Sequence, residues 1–277
     1  MTEFSSRTAE GDVVYHGLGN KKILERLALD RRVALVTGAG QGIGRAFAHA
    51  LAEAGAAVAV VDVDPARSKT VADELATKGA RSAALVVDVT DPAQVREMVE
   101  QVQASLGGLH IAVNNAGVNR NSAAEETPMD EWDEVFALNT RAVFACCQAV
   151  AKVMLGQGYG KIINTASMAS MIVPHPQKQA AYNSSKAAVV QLTRTLAAEW
   201  ADRGVRVNCI SPGIIRTALI ETNPALAPLV ERWVADIPMG RLGEVTDLQA
   251  AVVYLASEAS DYLTGHNLAV EGGQTLW

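Results

Sequence analysis

From Arg32 onward the chain alternates two hydrophobic patterns. Short continuous apolar runs, beginning with Val33-Ala34-Leu35-Val36, read as strands buried on both faces. Between them lie longer stretches with apolar residues three and four apart, which read as helices. The predicted strands are Val33–Val36, Ala57–Val61, Ala83–Val87, Ile111–Val113, Lys161–Ile163, Val205–Ile210 and Leu268–Val270. The predicted helices are Ile43–Ala54, stopped by Gly55, and Pro65–Lys78, with proline in its first turn. Others follow Asp91 to about Leu106, then Met129–Leu155 with a bend near Asn139, Tyr182–Asp202 and Val245–Ser257. Regular alternation of strand and helix implies βαβ units with right-handed crossovers. The expected fold is α/β: a doubly wound, mostly parallel seven-stranded sheet with helices on both faces.

No repeat or linker interrupts this rhythm, so residues 31–277 read as one domain. Residues 1–30 read as an N-terminal extension, polar at first, in which Val13-Val14-Tyr15 and Ile23–Leu29 are candidate docking segments, on this domain or on a neighbouring subunit. Residues 215–238 depart from the pattern, contain Pro224 and Pro228, and suggest a small helical lid.

Composition narrows the function. The chain has 277 residues, 49% of them hydrophobic and only 5% aromatic, which suits helices packed on a sheet better than a β-sandwich. A net charge of −6 and a pI near 5.4 leave no basic excess for nucleic acid. No apolar run is long enough to cross a bilayer, and the first thirty residues have no apolar signal core. Cys146, Cys147 and Cys209 fall in core patterns, so they read as reduced thiols of a cytoplasmic protein. No Cys/His/Asp grouping has metal-ligand spacing, so no metal is expected.

The chemistry begins at the first strand-to-helix junction. Gly38-Ala39-Gly40-Gln41-Gly42-Ile43-Gly44 lies where glycines permit a tight turn and let backbone N–H groups approach a pyrophosphate at a helix N-terminus. Asp62 ends the second strand, 18 positions after Gly44. A carboxylate there accepts from ribose hydroxyls and repels a 2′-phosphate, which favours NAD over NADP. Arg45 and Arg67 lie nearby, but neither Gln41 nor Val63 offsets that repulsion. A solvated strand-end aspartate is the plainer alternative.

Tyr182 and Lys186, in Tyr182-Asn183-Ser184-Ser185-Lys186, are four apart and project from one helical face. A free tyrosine titrates near pH ~10, so useful proton exchange near neutrality requires its pKa to fall by about 3. One positive charge at about 4 Å, at an effective dielectric of about 20, supplies about 4 kcal/mol toward that, before desolvation. Taken alone, the pair also fits an exposed helix with an incidental Tyr and Lys.

The glycine turn, Asn114-Asn115-Ala116-Gly117, Ser167, and Tyr182 with Lys186 occur together and in order. This set resembles the short-chain dehydrogenase/reductase family over about Arg32 to Trp277, and so implies a Rossmann-type fold. The resemblance implies Tyr182 as general acid/base and Lys186 as the group that binds the nicotinamide ribose and lowers the tyrosine pKa. Ser167 would hydrogen-bond the substrate oxygen, and Asn139 would hold a water between Lys186 and solvent. Gly38, Gln41, Gly42, Ile43, Gly44, Asp62, Asp88, Val89, Asn115, Ala116 and Gly117 would bind the cofactor. Pro212, Gly213, Ile215 and Thr217 would hold its nicotinamide end. It also implies a homotetramer, with a dimer as the alternative, and the apolar circumference of the helices at Met129–Leu155 and Tyr182–Asp202 agrees.

Ser167 and Tyr182 are 15 positions apart, about two more than is usual in the family. Ser170 competes for the role of Ser167, but Ser167 directly follows the fifth strand, at the ligand edge of the sheet. The extra length falls in Met171–Ala180, a polar stretch that includes His175 and Gln177, expected to face the substrate. Together with the C-terminal Gly272-Gly273-Gln274-Thr275-Leu276-Trp277, it is similar to the sugar-alcohol dehydrogenases of the family. The expected reaction is interconversion of a secondary alcohol and a ketone, on a polyol or sugar-derived substrate. The alternatives are a 3-oxoacyl-thioester reductase and a non-catalytic nucleotide-binding protein of the same fold.

Overall fold

The computed structural model describes residues 5–7, 13–15, 21–217, 220 and 227–277. Seven strands form one sheet: β1 Val33–Thr37, β2 Ala57–Asp62, β3 Ser82–Val86, β4 Ile111–Asn114, β5 Gly160–Thr165, β6 Val205–Pro212 and β7 Asn267–Val270. Their spatial order is β7-β6-β5-β4-β1-β2-β3, and every neighbouring pair is parallel. The expected mostly parallel sheet is thus wholly parallel. All residues of β1, β2, β4 and β5 are buried, as continuous apolar strands require when helices cover both faces. The edge strand β3 is only partly covered.

The connecting helices are α1 Gly42–Glu53, α2 Pro65–Thr77, α3 Pro92–Leu106, α4 Met129–Phe136, α5 Val143–Gln157, α6 Ala180–Trp200, α7 Ala227–Asp236 and α8 Gln249–Ala256. Local chemistry fixes several of their ends. Asp64 accepts from the amides of Ala66 and Arg67 to start α2, and Asp91 from that of Ala93 to start α3, each followed by proline. Gly107 ends α3 with φ +82°. Met98, Val102, Val150, Met154, Val189 and Trp200 belong to the core layer on one face of the sheet. Phe47, Leu51, Leu75, Val252 and Leu255 belong to the layer on the other.

The long helix expected over Met129–Leu155 is broken into α4, a π-helical turn at Ala137–Ala142, and α5. The predicted bend at Asn139 is therefore a widened turn, a device that often marks a functional position.

In the extension, Ser5–Arg7 pairs antiparallel with Val13–Tyr15. The following helical turn, Ile23–Leu27, docks on this chain's own domain: Lys21 Nζ lies 2.6 Å from a Glu258 carboxylate oxygen, Arg26 donates to the Glu258 carbonyl, and Leu29 is 1% exposed. In the expected lid, Ile215–Arg216 pairs parallel with Gly243–Glu244, and Trp233, Ile237 and Leu242 form a small separate core. The rest of that lid, residues 218–219 and 221–226, lies outside the described residues. Among the described residues, no helix is long and apolar enough to cross a membrane.

Strand order reverses direction between β1 and β4, so the helices leaving their C-terminal ends diverge and open a crevice there.

Candidate active site

The crevice starts at the β1–α1 turn. Gly38 and Gly42 have φ of +61° and +55°, which L side chains rarely adopt. A Cβ on Gly44 would sit 2.1 Å from the Gly38 carbonyl oxygen. The α1 N-cap, Gln41, makes no side-chain cap, and no acidic residue lies in the first turn, so the helix start keeps its capacity for an anion. Two neighbours hold the turn in shape. Asn115 Nδ2 donates to the carbonyls of Thr37 and Gly38, while the amides of Asn115 and Ala116 donate to Thr37 Oγ1. Asp62 accepts from Gly40 N at 2.9 Å through one oxygen and from Asp64 N at 3.0 Å through the other.

A groove of about 710 Å³ runs from Asp62, Val63 and Arg67, past Asp88, Val89 and Thr90, to Gly117 and Leu138. The glycine cradle, the open helix start and the carboxylate at the β2 end together fit a dinucleotide lying across the sheet edge. Gln41, Gly42, Ile43, Asn115, Ala116 and Thr217 line the same groove. Asp88 holds its own turn, accepting from Thr90 N and Thr90 Oγ1.

The groove opens into a second cavity of about 320 Å³, which shares Ile43, Asn115 and Gly117 with it. Ser167, Tyr182, Lys186, Pro212 and Gly213 line this cavity. Ser167 follows β5 and caps a short turn by accepting from Ala169 N. The competing hydroxyl of Ser170 donates to the Ser167 carbonyl at 2.7 Å, and Ser170 does not line the cavity. The structure thus puts Ser167, not Ser170, beside Tyr182.

Lys186 is 4% exposed, and its ammonium donates to the Thr165 carbonyl at 2.8 Å. It lies 5.7 Å from the centroid of the Tyr182 ring. Burial pushes Lys186 down to about 8. Burial also pushes the Tyr182 phenol up, against a smaller lowering by its hydrogen bond to Ser167. This differs from the expected balance, in which the ammonium holds the phenol down. Helical spacing puts both side chains on one face, but the lysine reaches a backbone carbonyl, and desolvation dominates both groups.

Asn139 sits in the π-helical turn, fully buried. Its Nδ2 donates to Val118 O at 2.8 Å and to Ser185 Oγ at 3.1 Å, and its Oδ1 accepts from Val118 N at 2.8 Å. It clamps the strap after β4 against α6. A Cβ on Gly117 would lie 3.1 Å from Asn139 Oδ1 and 3.4 Å from Lys186 Nζ, so glycine keeps this space open.

Asn139 lines neither cavity, and three further predicted residues lie elsewhere. His175 is exposed, Gln177 is half-buried, and neither lines the two cavities. Ile215 is buried and faces a separate cavity of about 240 Å³ that also touches Gly213. The polar stretch before Tyr182 instead reaches the site through Gln179, which accepts from Asn119 Nδ2 at 3.0 Å. Asn119 lines the second cavity. Sequence reasoning missed Asn119, and included Gln179 in the Met171–Ala180 stretch without singling it out as a site residue. The available signal was Asn119 standing two positions past Gly117, and Gln179 three before Tyr182.

Comparison with known proteins places this geometry. A family model described as enoyl-(acyl carrier protein) reductase matches residues 38–275. A galactitol 2-dehydrogenase (L-tagatose-forming) from Cereibacter sphaeroides is 41% identical over 90% of this chain and 97% of its own. A D-threitol dehydrogenase from Mycolicibacterium smegmatis is 40% identical over 90% and 94%. A 3-oxoacyl-(acyl-carrier-protein) reductase from Staphylococcus aureus is 39% identical over 88% and 98%. Among solved structures, a short-chain type dehydrogenase/reductase from Mycobacterium marinum superposes with TM-score 0.88 at 43% identity, covering 92% of this chain and 99% of that one. A gluconate 5-dehydrogenase from Burkholderia cenocepacia J2315, solved with NADP and tartrate, gives 0.87 at 37% identity, covering 92% and 100%.

Proposed function

The chain belongs to the short-chain dehydrogenase/reductase family, and from that premise we propose that it is an NAD-dependent dehydrogenase of polyols or sugar-derived secondary alcohols. The observation that carries this reading is one cavity that gathers Ser167, Tyr182 and Lys186 at the end of a groove fitted to a dinucleotide. Galactitol and threitol dehydrogenases among the relatives support the substrate class.

The bound nicotinamide supplies the two-electron acceptor. The remaining steps belong to this chain. Ser167 Oγ donates to the substrate oxygen and holds it beside the phenol. Tyr182, deprotonated, takes the hydroxyl proton as the carbonyl forms, and returns it in the reverse direction. Lys186 places a positive charge behind the tyrosine and anchors to Thr165, so the two side chains keep a fixed separation. The absence of a Cβ at Gly117 leaves room beside Asn139 and Lys186 for a water to reach the ammonium.

NAD is favoured over NADP because Asp62 ends β2 in the groove, where a carboxylate meets the adenosine ribose and repels a 2′-phosphate. A gluconate 5-dehydrogenase of this fold was solved in complex with NADP, so the preference rests on Asp62 itself. Three buried free cysteines suit a reducing compartment, and we place the protein in the cytoplasm. Exposed Phe144 and Met129, on the α4–α5 arm, support assembly as a homotetramer or dimer.

A second reading, reduction of 3-oxoacyl thioesters, draws on the relative of that name. A net charge of −6 disfavours docking of an acidic carrier. Following NADH at 340 nm with NAD and a panel of tetritols, pentitols and hexitols, against NADPH oxidation with acetoacetyl thioesters, tests the proposal. Polyol-dependent NADH formation supports it; thioester reduction alone overturns it.

A further inference from the structure

The reacting oxygen is held by Ser167 and Tyr182, but a polyol carries further hydroxyls that the same cavity must read. Among the described residues lining it, the other polar side chains are Asn115, Asn119, Thr165 and Lys186. Asn115 is occupied by the Thr37 and Gly38 carbonyls, and Thr165 Oγ1 donates to Asn115 Oδ1. Lys186 is anchored on Thr165 O. Asn119 makes one side-chain bond and, unlike the buried donor-only Lys186, keeps both an acceptor, its carbonyl oxygen, and a second N–H for a ligand.

Asn119 is also held still. Its Nδ2 donates to Gln179 Oε1 at 3.0 Å, and Gln179 Nε2 donates to Asn183 Oδ1 at 2.9 Å. Gln179 is 6% exposed and stands at the N-cap of α6, yet makes no side-chain cap. Its amide bridges the strap to the catalytic helix instead. The strap is fixed on either side: Asn139 clamps both polar groups of the Val118 backbone, Arg120 Nη1 donates to Asn119 O, and Ser122 forms a β-bridge with Gln179. A polar group pre-set in this way discriminates by position, because a substrate hydroxyl that meets it needs no rearrangement of the protein.

We propose that Asn119 reads a second, non-reacting hydroxyl of the substrate, and that Gln179 is the positioning residue that holds it there. This rests on the polyol reading above.

The test is a deoxy scan. Choose a polyol that the wild type oxidises, and measure kcat and KM for it and for analogues each lacking one non-reacting hydroxyl. In the wild type, one deoxy position lowers kcat/KM by about tenfold, the worth of a hydrogen bond of about 1.4 kcal/mol. In Asn119→Ala that penalty vanishes, because the parent polyol is already weakened through KM, while penalties at other positions persist. Gln179→Leu reproduces the loss and Gln179→Glu, which retains an acceptor for Asn119, restores most of it. The NADH dissociation constant, read by fluorescence, stays within about twofold in all variants, which excludes a general folding defect. An unchanged deoxy penalty in Asn119→Ala overturns the inference while leaving the polyol reading intact. A wild type that turns over no polyol overturns both.

Discussion

Lys186 and Tyr182 share a helical face, yet the lysine ammonium bonds to the Thr165 carbonyl at 2.8 Å and stands 5.7 Å from the tyrosine ring centroid. The lysine is a buried charge fixed by the backbone, and its field on the phenol comes from a set position, not from a contact pair.

That burial has a thermodynamic consequence. The folded pKa of Lys186, about 8, lies below its ordinary value of 10.5. Below pH 8 the folded protein carries a buried charge at a cost of about 3 kcal/mol. Between about pH 8 and 10.5 the unfolded chain binds the extra proton, so this group makes stability rise with pH across that window. Lys186→Met should therefore raise Tm by a few degrees at pH 7 while abolishing most activity. The Tm gap to wild type should close as pH approaches 10.5. Calorimetry from pH 7 to 10 checks both signs.

Asp62 holds Gly40 and Asp64 while facing the groove, so its removal does two things. The account expects wild-type kcat/KM to favour NAD over NADP by about 10- to 100-fold, the scale of one like-charge repulsion near the surface. Asp62→Ser should weaken both cofactors by loosening the turn but shrink the ratio toward one. A ratio that stays fixed would assign selectivity to other groups.

Gly44 tests the cradle. A Cβ there would overlap the Gly38 carbonyl oxygen at 2.1 Å, and that oxygen belongs to backbone that cannot swing aside. Gly44→Ala should weaken NAD binding by about 100-fold, the effect of about 2 to 3 kcal/mol of overpacking. Isothermal titration with NAD reads this directly; near-wild-type affinity would mean the turn does not hold the cofactor.

Much of this was legible in the chain. Continuous apolar runs announced the parallel sheet because helices bury both faces, and the edge strand β3 was found despite weaker burial. The glycine turn and Ser167 were placed at strand ends and Tyr182 and Lys186 on one helical face, and the structure collects them in two connected cavities. Three features were not legible. The bend near Asn139 was expected but not its form, a widened helical turn in which Asn139 bonds to Val118 and Ser185 across the fold. Local patterning carries no record of such partners. His175 and Gln177 drew attention as polar residues near Tyr182, but which of a loop's polar side chains meets the site depends on backbone direction, and Gln179 is the one that bonds to Asn119. Spacing put Lys186 and Tyr182 on one face but carried no record of their burial, which pushes the lysine down and the phenol up.

The claim that Tyr182 is the proton acceptor is tested most directly by Tyr182→Phe, which removes one oxygen and keeps the ring. With NAD and a polyol that the wild type oxidises, kcat should fall by at least about 100-fold, the scale of general acid–base catalysis, while the NADH dissociation constant measured by fluorescence stays within about twofold. Turnover within a few-fold of wild type in that variant would contradict the account.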